Sequence, residues 1–227
     1  MILLRSTMKI DDRRHFLIFF LALIALYFAF PLLDHKPSIE LVLDFAMTTV
    51  LVWALFAIGR SQLVISAAVI TALPIPLARL YNLYDPFEYH EAIQYVCLFL
   101  LEGYSCAVIL KRIVKSPDVS VGHIYAAVGV YLLSCFMWAD AFSIMEILHP
   151  GTFTLSPNLT SMFSNFLYFS TTCLTTNSYG DVTVNRPFAR ALCAFIGCSG
   201  QLYVALILAY LVGMHGSSVH SKSTSQK

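Results

Sequence analysis

The stretch 172-TCLTTNSYGD-181 decides how this chain is interpreted. It lies between an aromatic-rich apolar segment, 162-MFSNFLYFST-171, and a long apolar run, 187-PFARALCAFIGCSGQLYVALILAYLVG-213. From Thr175 to Asp181 the chain carries only threonine, asparagine, serine, tyrosine, glycine and aspartate. Backbone and side-chain polar groups that lie among apolar segments need a polar partner. The sequence therefore raises the question of what this polar row contacts.

The composition of the chain places it in a membrane. The sequence has 227 residues, of which 58% are hydrophobic and 12% are charged, and the mean hydropathy is +0.74. Soluble globular domains carry about 25% charged residues, so a bilayer is the expected surrounding and membrane lipid an expected partner. The formal net charge of +1 argues against a nucleic-acid partner.

Motifs for catalysis and for bound cofactors are absent from the sequence. There is no glycine-rich phosphate loop, no HExxH zinc motif and no nucleophile elbow. The six cysteines lie in apolar runs without paired metal-ligand spacing, which predicts buried, reduced thiols. We therefore expect neither an enzyme nor a protein with a cofactor.

Six apolar segments have about the 20 residues that a helix needs to cross a bilayer. The third contains Pro74 and Pro76, which predict a kink or an early end. The segments are Phe16 to Leu33, Ile39 to Ile58, Leu63 to Leu80, Ala92 to Val114, Ile124 to Leu148 and Pro187 to Val212.

Lysine and arginine residues predict the orientation of these spans. They lie before the first span, at Arg60, in the loop 111-KRIVKSPDVSVGH-123 and in the tail after residue 213, all on one side if there are six spans. The loops 34-DHKPSIE-40 and 81-YNLYDPFEYHE-91 on the other side are acidic on balance. We expect a multi-pass protein of the cell membrane with both termini in the cytoplasm.

The segment between the last two spans is too short to cross the bilayer. Met162 to Thr176 provides about 15 residues, enough for a short helix that enters from the outer face. Non-helical backbone at membrane depth must be buried in protein or line a water-filled path, so 175-TTNSYGD-181 is expected to be a re-entrant segment. A desolvated cation is a natural partner for its free carbonyl groups.

The last third of the chain resembles the pore module of the tetrameric potassium-channel superfamily, and most closely the prokaryotic six-span ion-channel proteins with a short C-terminus. The matching pieces are the pore helix 166-FLYFSTTCLTT-176, the filter 176-TNSYGD-181, Arg190 and the inner helix 197-GCSGQLYVALILAYLVG-213. The resemblance implies an all-α membrane protein of six transmembrane helices, with a re-entrant pore helix and a selectivity-filter loop between the fifth and the sixth. It assigns residues 119–227 to a pore domain and residues 1–118 to a four-span N-terminal domain that lacks voltage-sensor arginines.

The resemblance also implies roles for residues in and near the filter, whose family pattern is T-V-G-Y-G-D. Thr175 and Asp181 would support the filter. Gly200 and Gly197 would form the gating hinge of the inner helix, although small residues there also allow close helix packing. K⁺, or Na⁺, would bind at the backbone carbonyls of Thr176, Asn177, Ser178 and Tyr179, and Gly180 would complete the ion-conducting filter.

Two filter positions depart from the family pattern. Asn177 replaces valine or isoleucine, and Ser178 replaces the first glycine. That glycine accommodates a conformation that costs other residues about 1–2 kcal/mol, so strain is expected at Ser178. Three functions remain open: a K⁺ channel without intrinsic voltage gating, a weakly selective Na⁺/K⁺ channel, and a non-conducting regulatory or structural subunit. Because one chain supplies one filter strand, the resemblance implies a homotetramer.

Acidic residues also lie within or near the predicted spans. Asp44, Asp140 and Glu146 lie toward the outer ends of their helices, where solvation at the interface is expected, and Arg79 is available to pair with one of them. Glu102 is the deepest of the four. It is expected to be protonated or hydrogen-bonded to a neighbouring span.

Overall fold

A computed structural model describes residues 2–33, 37–58, 90–116, 121–155 and 161–224. In these ranges the chain is almost entirely helical, as predicted, and the only strands are two short ones that pair antiparallel. The helices are α1 (Ile2–Leu33), α2 (Pro37–Ile58), α3 (His90–Lys115), α4 (Val121–Leu148), α5 (Met162–Leu174) and α6 (Pro187–Thr224), and the strands are β1 (Phe153–Thr154) and β2 (Thr183–Val184).

Four of these helices are long and apolar enough to cross a membrane, so the chain is a multi-pass membrane protein. Their apolar parts are Arg14–Leu33, Glu91–Lys115, Val121–Leu148 and Pro187–Ile207. The apolar part of α2, Leu41–Phe56, is shorter. The predicted third span, with Pro74, Pro76 and Arg79, lies outside the described residues. The layout of six spans with a re-entrant loop therefore stays a prediction.

Two helices extend beyond their predicted bounds. Helix α1 begins at Ile2 and not near Phe16, and α6 continues past Val212 to Thr224. The apolar run marks the part of a helix that fits a bilayer, whereas the backbone hydrogen bonds continue through polar residues that also favour a helix.

Helix α4 is at the centre of the packing, because it contacts α1, α3, α5 and α6. Half of its apolar stretch is buried (50%), against 11% for that of α6. Four phenylalanines hold α5 and β1 on α4, with ring centroids between 5.0 Å and 6.1 Å apart. They are Phe142, Phe153, Phe166 and Phe169. Such aromatic pairs add about 0.5–1.5 kcal/mol each to the burial of their area.

The expected solvation of Asp44 and Asp140 is wrong, because both side chains are buried, on helices α2 and α4 that each pack on α3. Asp44 accepts a hydrogen bond from Gln94 Nε2 at 2.6 Å. Asp140 lies beside Glu102 of α3, so Glu102 faces a neighbouring helix, and its expected protonation or hydrogen bond stays a prediction. Neither oxygen of Asp140 has a hydrogen-bond partner among the described residues.

Glu146 was also expected to be solvated, but both of its carboxylate oxygens accept hydrogen bonds from the backbone. Its Oε1 accepts a hydrogen bond from the Gly151 N–H at 2.8 Å, and its Oε2 accepts one from the Phe153 N–H at 3.0 Å. The turn between α4 and β1 is closed by these two bonds. Gly151 has φ 79°, a left-handed conformation that glycine adopts without a steric penalty.

The predicted boundary between the two domains, at residue 118, falls in a stretch outside the described residues, and the division stays a prediction. Helix α1, from the first of the two, packs on α4 and also contacts α5. The first helix is therefore part of the surroundings of the polar row.

Candidate functional site

Helix α5 directly precedes the polar row and fixes where it begins. Ser161 caps its N-terminus by accepting a hydrogen bond from the Ser164 N–H at 3.2 Å, which satisfies one of the free N–H groups of a helix start. In the middle of α5, the hydroxyl group of Ser170 donates to the Cys135 carbonyl of α4 at 2.6 Å. Capping and this buried bond hold α5 in one position on α4.

The C-terminus of α5 ends in a Schellman motif, in which the two residues after the cap fold back on the helix. The Thr176 N–H donates to the Cys173 carbonyl at 3.1 Å, and the Asn177 N–H donates to the Thr172 carbonyl at 2.8 Å. The residue after the cap is usually glycine, because it is left-handed. Here it is Thr176, with φ 60°, at a cost of about 1–2 kcal/mol.

The strain that was expected at Ser178 therefore lies at Thr176. Among the described residues, Thr176 is the only one other than glycine with a positive φ. The reason is local, because the end of α5 imposes the left-handed conformation before the chain reaches Ser178. Gly180 has φ 82°, so the second glycine of the family pattern retains its left-handed conformation in this chain.

The remaining carbonyl groups at the end of α5 are also satisfied. The Thr175 hydroxyl group donates to the Thr171 carbonyl at 2.8 Å, and the Thr176 hydroxyl group donates to the Thr175 carbonyl at 2.7 Å. The Leu174 carbonyl accepts from the hydroxyl group of Tyr131, in α4, at 3.2 Å. Helix α5 thus leaves no carbonyl at its end for other partners.

Residues 176–180 differ from the helix end in this respect. All five are exposed in the single chain, and Tyr179 is 75% exposed. Within the described ranges, none of their five backbone carbonyls accepts a hydrogen bond. The structure thus brings Thr176, Asn177, Ser178, Tyr179 and Gly180 together as one exposed row of free acceptors.

Side chains behind the row connect it to both flanking helices. The side chain of Ser178 lies close to the thiol of Cys173 in α5, which in turn lies close to the thiol of Cys193 in α6. Asn177 is held differently, because only its backbone N–H bonds to α5 and its side chain is exposed. The serine that replaces the family's glycine therefore has a neighbouring thiol of its own.

Asp181 directly follows the row in sequence. Its Oδ1 accepts a hydrogen bond from the Val182 N–H at 3.2 Å. The side chain of Tyr168, in α5, lies close to the Asp181 carboxylate. Beyond Asp181, the chain forms β2. Arg190 Nε, in α6, donates a hydrogen bond to the Val184 carbonyl of this strand at 2.8 Å.

Helix α6 approaches the end of α5 at two glycines. A Cβ atom on Gly200 would lie 2.1 Å from the Leu174 carbonyl oxygen, and one on Gly197 would lie 3.4 Å from that of Cys173. Helix α6 continues without interruption from Pro187 to Thr224. Close packing is therefore a role that both glycines have in this structure, and a gating hinge stays a prediction for them.

Four residues that contact this region were not singled out from the sequence. Tyr27 and Tyr131 bond to α5 through hydroxyl groups, and a tyrosine in an apolar run gives no sign of its partner. Cys173 was interpreted as one of several inert thiols. Gln201 gave the clearest signal, because it is an amide in the apolar part of α6.

Comparison with known proteins gave one match. Residues 121–215 match the family model described as "Ion channel", and no curated protein and no solved structure matches the chain. The matched residues run from the start of α4 into α6 and include α5 and the exposed row. This match confirms the resemblance inferred from the sequence: residues 121–215 are similar to the ion-channel pore module of the potassium-channel superfamily.

Proposed function

We propose that this protein is the pore-forming subunit of a potassium-channel-like cation channel, which conducts K⁺ passively across the cell membrane. The observation that supports this proposal is the exposed row at residues 176–180, whose five carbonyls accept no hydrogen bond from the described residues. Unpaired carbonyls inside a membrane are unfavourable. A cation that exchanges its hydration shell for such oxygens satisfies them.

A complete pore requires further copies of the chain. One chain supplies one row, and α6 exposes large apolar side chains in the single chain, among them Phe188 (73%), Phe195 (60%) and Leu206 (67%). Lipid or neighbouring subunits cover such side chains in a membrane. We infer a homotetramer with both termini in the cytoplasm, in which four rows surround one axis.

Opening is proposed not to depend intrinsically on voltage. The apolar part of α3 has no lysine or arginine before Lys111, and its one internal charged residue is the acidic Glu102. Voltage gating needs several charges that move through the field, each worth about 2.3 kcal/mol per 100 mV. Helix α3 does not provide them.

A second candidate, a weakly selective Na⁺/K⁺ channel, is supported by the conformation of Ser178. It lacks the positive φ of the glycine that it replaces, and its side chain lies close to the thiol of Cys173. The carbonyl of such a residue is directed differently, so the ion sites on either side of it differ from those of a strict potassium filter.

Flux through liposomes that contain the purified protein tests these proposals. K⁺ flux without Na⁺ flux supports the potassium channel, and comparable fluxes support the weakly selective channel. No flux under any condition would support a non-conducting subunit. Mass measurement in detergent tests the assembly, since a stable monomer or dimer as the only species contradicts the homotetramer.

A further inference from the structure

Helix α6 places an amide side chain, Gln201, at the level of the first residue of the exposed row. From residue 201 to residue 213, α6 otherwise contains only apolar residues, two tyrosines and a glycine. An amide in such surroundings is unfavourable unless its polar atoms are paired. What Gln201 binds is therefore informative about what lies beside it.

The position of Gln201 follows from the contact between α6 and α5. Gly200 lies directly against the Leu174 carbonyl at the end of α5. The next residue of α6 then lies beside the start of the row, and Gln201 Nε2 donates a long hydrogen bond to Thr176 Oγ1 at 3.4 Å.

The hydrogen bonds of Thr176 define which end of the amide faces it. The Thr176 hydroxyl group uses its proton in the bond to the Thr175 carbonyl at 2.7 Å, so its oxygen is left as an acceptor. An acceptor requires the N–H end of the amide. The other end, Oε1 of Gln201, has no hydrogen-bond donor in the described part of the chain.

This free amide oxygen lies on the open side of the chain. Thr176 and Gln201 are both exposed, whereas Leu174 and Ile196 behind them are buried. In the proposed tetramer, the open side of each chain is covered by other copies or faces the axis.

We propose that the four Gln201 amide oxygens form a binding site for a monovalent alkali cation at the inner end of the filter. This proposal rests on the proposed function, because only a tetramer completes the ring. Neutral carbonyl oxygens are suitable ligands for K⁺ or Na⁺. A cation from the cytoplasmic side would exchange part of its hydration shell for these oxygens before it reaches the Thr176 ring.

Anomalous scattering from crystals grown in Rb⁺ tests the site directly. In the wild-type protein we expect Rb⁺ density in contact with Gln201 Oε1, separate from the density along residues 176–180. Gln201→Met, which has a similar length without the amide, should lose this density and keep that of the filter. The control Leu206→Met, at another exposed position of α6, should keep both.

The possible Rb⁺ density maps distinguish failure of the Gln201 site from failure of the proposed function. Filter density without density at Gln201 in the wild type overturns this proposal and leaves the proposed function intact. No Rb⁺ density at all overturns both. The Rb⁺ density of the wild-type protein tests the Gln201 site even if Gln201→Met does not assemble.

Rb⁺ flux into liposomes gives a second, quantitative test. Loss of an uncharged ligand to a cation should reduce the flux by about tenfold in Gln201→Met. Gln201→Glu, which retains an oxygen ligand and adds charge, should retain or raise the flux, and Leu206→Met should match the wild type. Equal flux in wild type and Gln201→Met contradicts the proposal, whereas absence of flux in the wild type contradicts the proposed function.

Discussion

The hydroxyl group of Tyr27, in α1, donates a hydrogen bond to the hydroxyl oxygen of Thr171, in α5, at 3.1 Å and across 144 positions of sequence. The rings around this bond are packed closely. Tyr27 and Phe30 both contact Phe136 of α4 edge-on, and Phe30 lies 4.9 Å from Phe163 of α5. The first helix therefore helps to hold the helix that leads into the filter.

Removal of this hydroxyl group should destabilise the protein without creating a cavity in its core. For Tyr27→Phe we expect the free energy of unfolding to fall by about 0.5–1.5 kcal/mol, measured by thermal or denaturant unfolding in detergent. Tyr125→Phe is a matched control, because Tyr125 stacks on Phe20 of α1 at 5.9 Å and its hydroxyl group has no hydrogen bond among the described residues. Equal effects of the two variants would show that the bond to Thr171 contributes nothing.

Gly200→Ala separates close packing from a hinge. The added methyl group would lie 2.1 Å from the Leu174 carbonyl oxygen, so α6 and the end of α5 must move apart. We expect a loss of tetramer yield and, in the tetramers that remain, an altered ratio of K⁺ to Na⁺ permeability. Tetramer yield is read by native mass measurement and the permeability ratio from reversal potentials.

Gly197→Ala is the matched control for this prediction. Its methyl group would lie 3.4 Å from the Cys173 carbonyl oxygen, which requires only a small adjustment, so a mild effect is expected. If Gly200→Ala instead assembles normally, keeps its permeability ratio and only opens less often, Gly200 acts as a hinge.

Restoration of the family residues in the filter should increase selectivity. Ser178→Gly removes the side chain beside Cys173 and permits the left-handed conformation, and Asn177→Val restores the apolar side chain. We expect the double variant to have a higher ratio of K⁺ to Na⁺ permeability in reversal-potential measurements. Cys173→Ser, which keeps a small hydrogen-bonding group beside Ser178, should leave the ratio unchanged. A double variant that matches the parent would exclude both residues as limits on selectivity.

The contact between Glu102 and Asp140 should be favourable only if one of the two carboxyl groups donates a hydrogen bond to the other. Two carboxyl groups form a hydrogen bond only when one of them carries a proton. Glu102→Gln provides a permanent N–H donor and is expected to keep the stability of the parent. Glu102→Leu leaves Asp140 without this partner and should lower the free energy of unfolding by about 1–3 kcal/mol. If both variants unfold at the same midpoint, the bond is not important for stability.

The thiols of Cys173 and Cys193 should form a disulfide when the protein is oxidised. The two thiols lie close together, although both are free in the structure. Copper phenanthroline treatment is expected to produce a linked pair of peptides, detected by mass spectrometry. Cys193→Ser should abolish this pair, whereas Cys198→Ser should not, because Cys198 is exposed on α6. Absence of the linked peptides in the parent would show that the thiols do not meet.

The helical spans were predictable because the length of an apolar run is a local property. The exposed row was also predictable, since six consecutive polar or glycine residues between apolar segments are visible in 176-TNSYGD-181. Gln201 could have been recognised by the same reasoning. In each case the residue type alone shows that a polar partner is needed.

Other features depend on how distant segments meet. Asp44 and Asp140 are buried because α2 and α4 each pack on α3, although their positions near helix ends suggested solvation. The left-handed residue is Thr176 and not Ser178, since the end of α5 and not the filter pattern determines it. The helix ends at Ile2 and Thr224 lie in polar sequence, where hydropathy gives no boundary.

The Schellman motif at Thr176 couples the last turn of α5 to the start of the proposed filter. Any widening or collapse there that displaces Asn177 must break its bond to the Thr172 carbonyl and release the left-handed Thr176. The last turn of the helix then unwinds in the same event. Conductance and the hydrogen-exchange protection of the Asn177 amide would consequently report one equilibrium, observed once as current and once as solvent access.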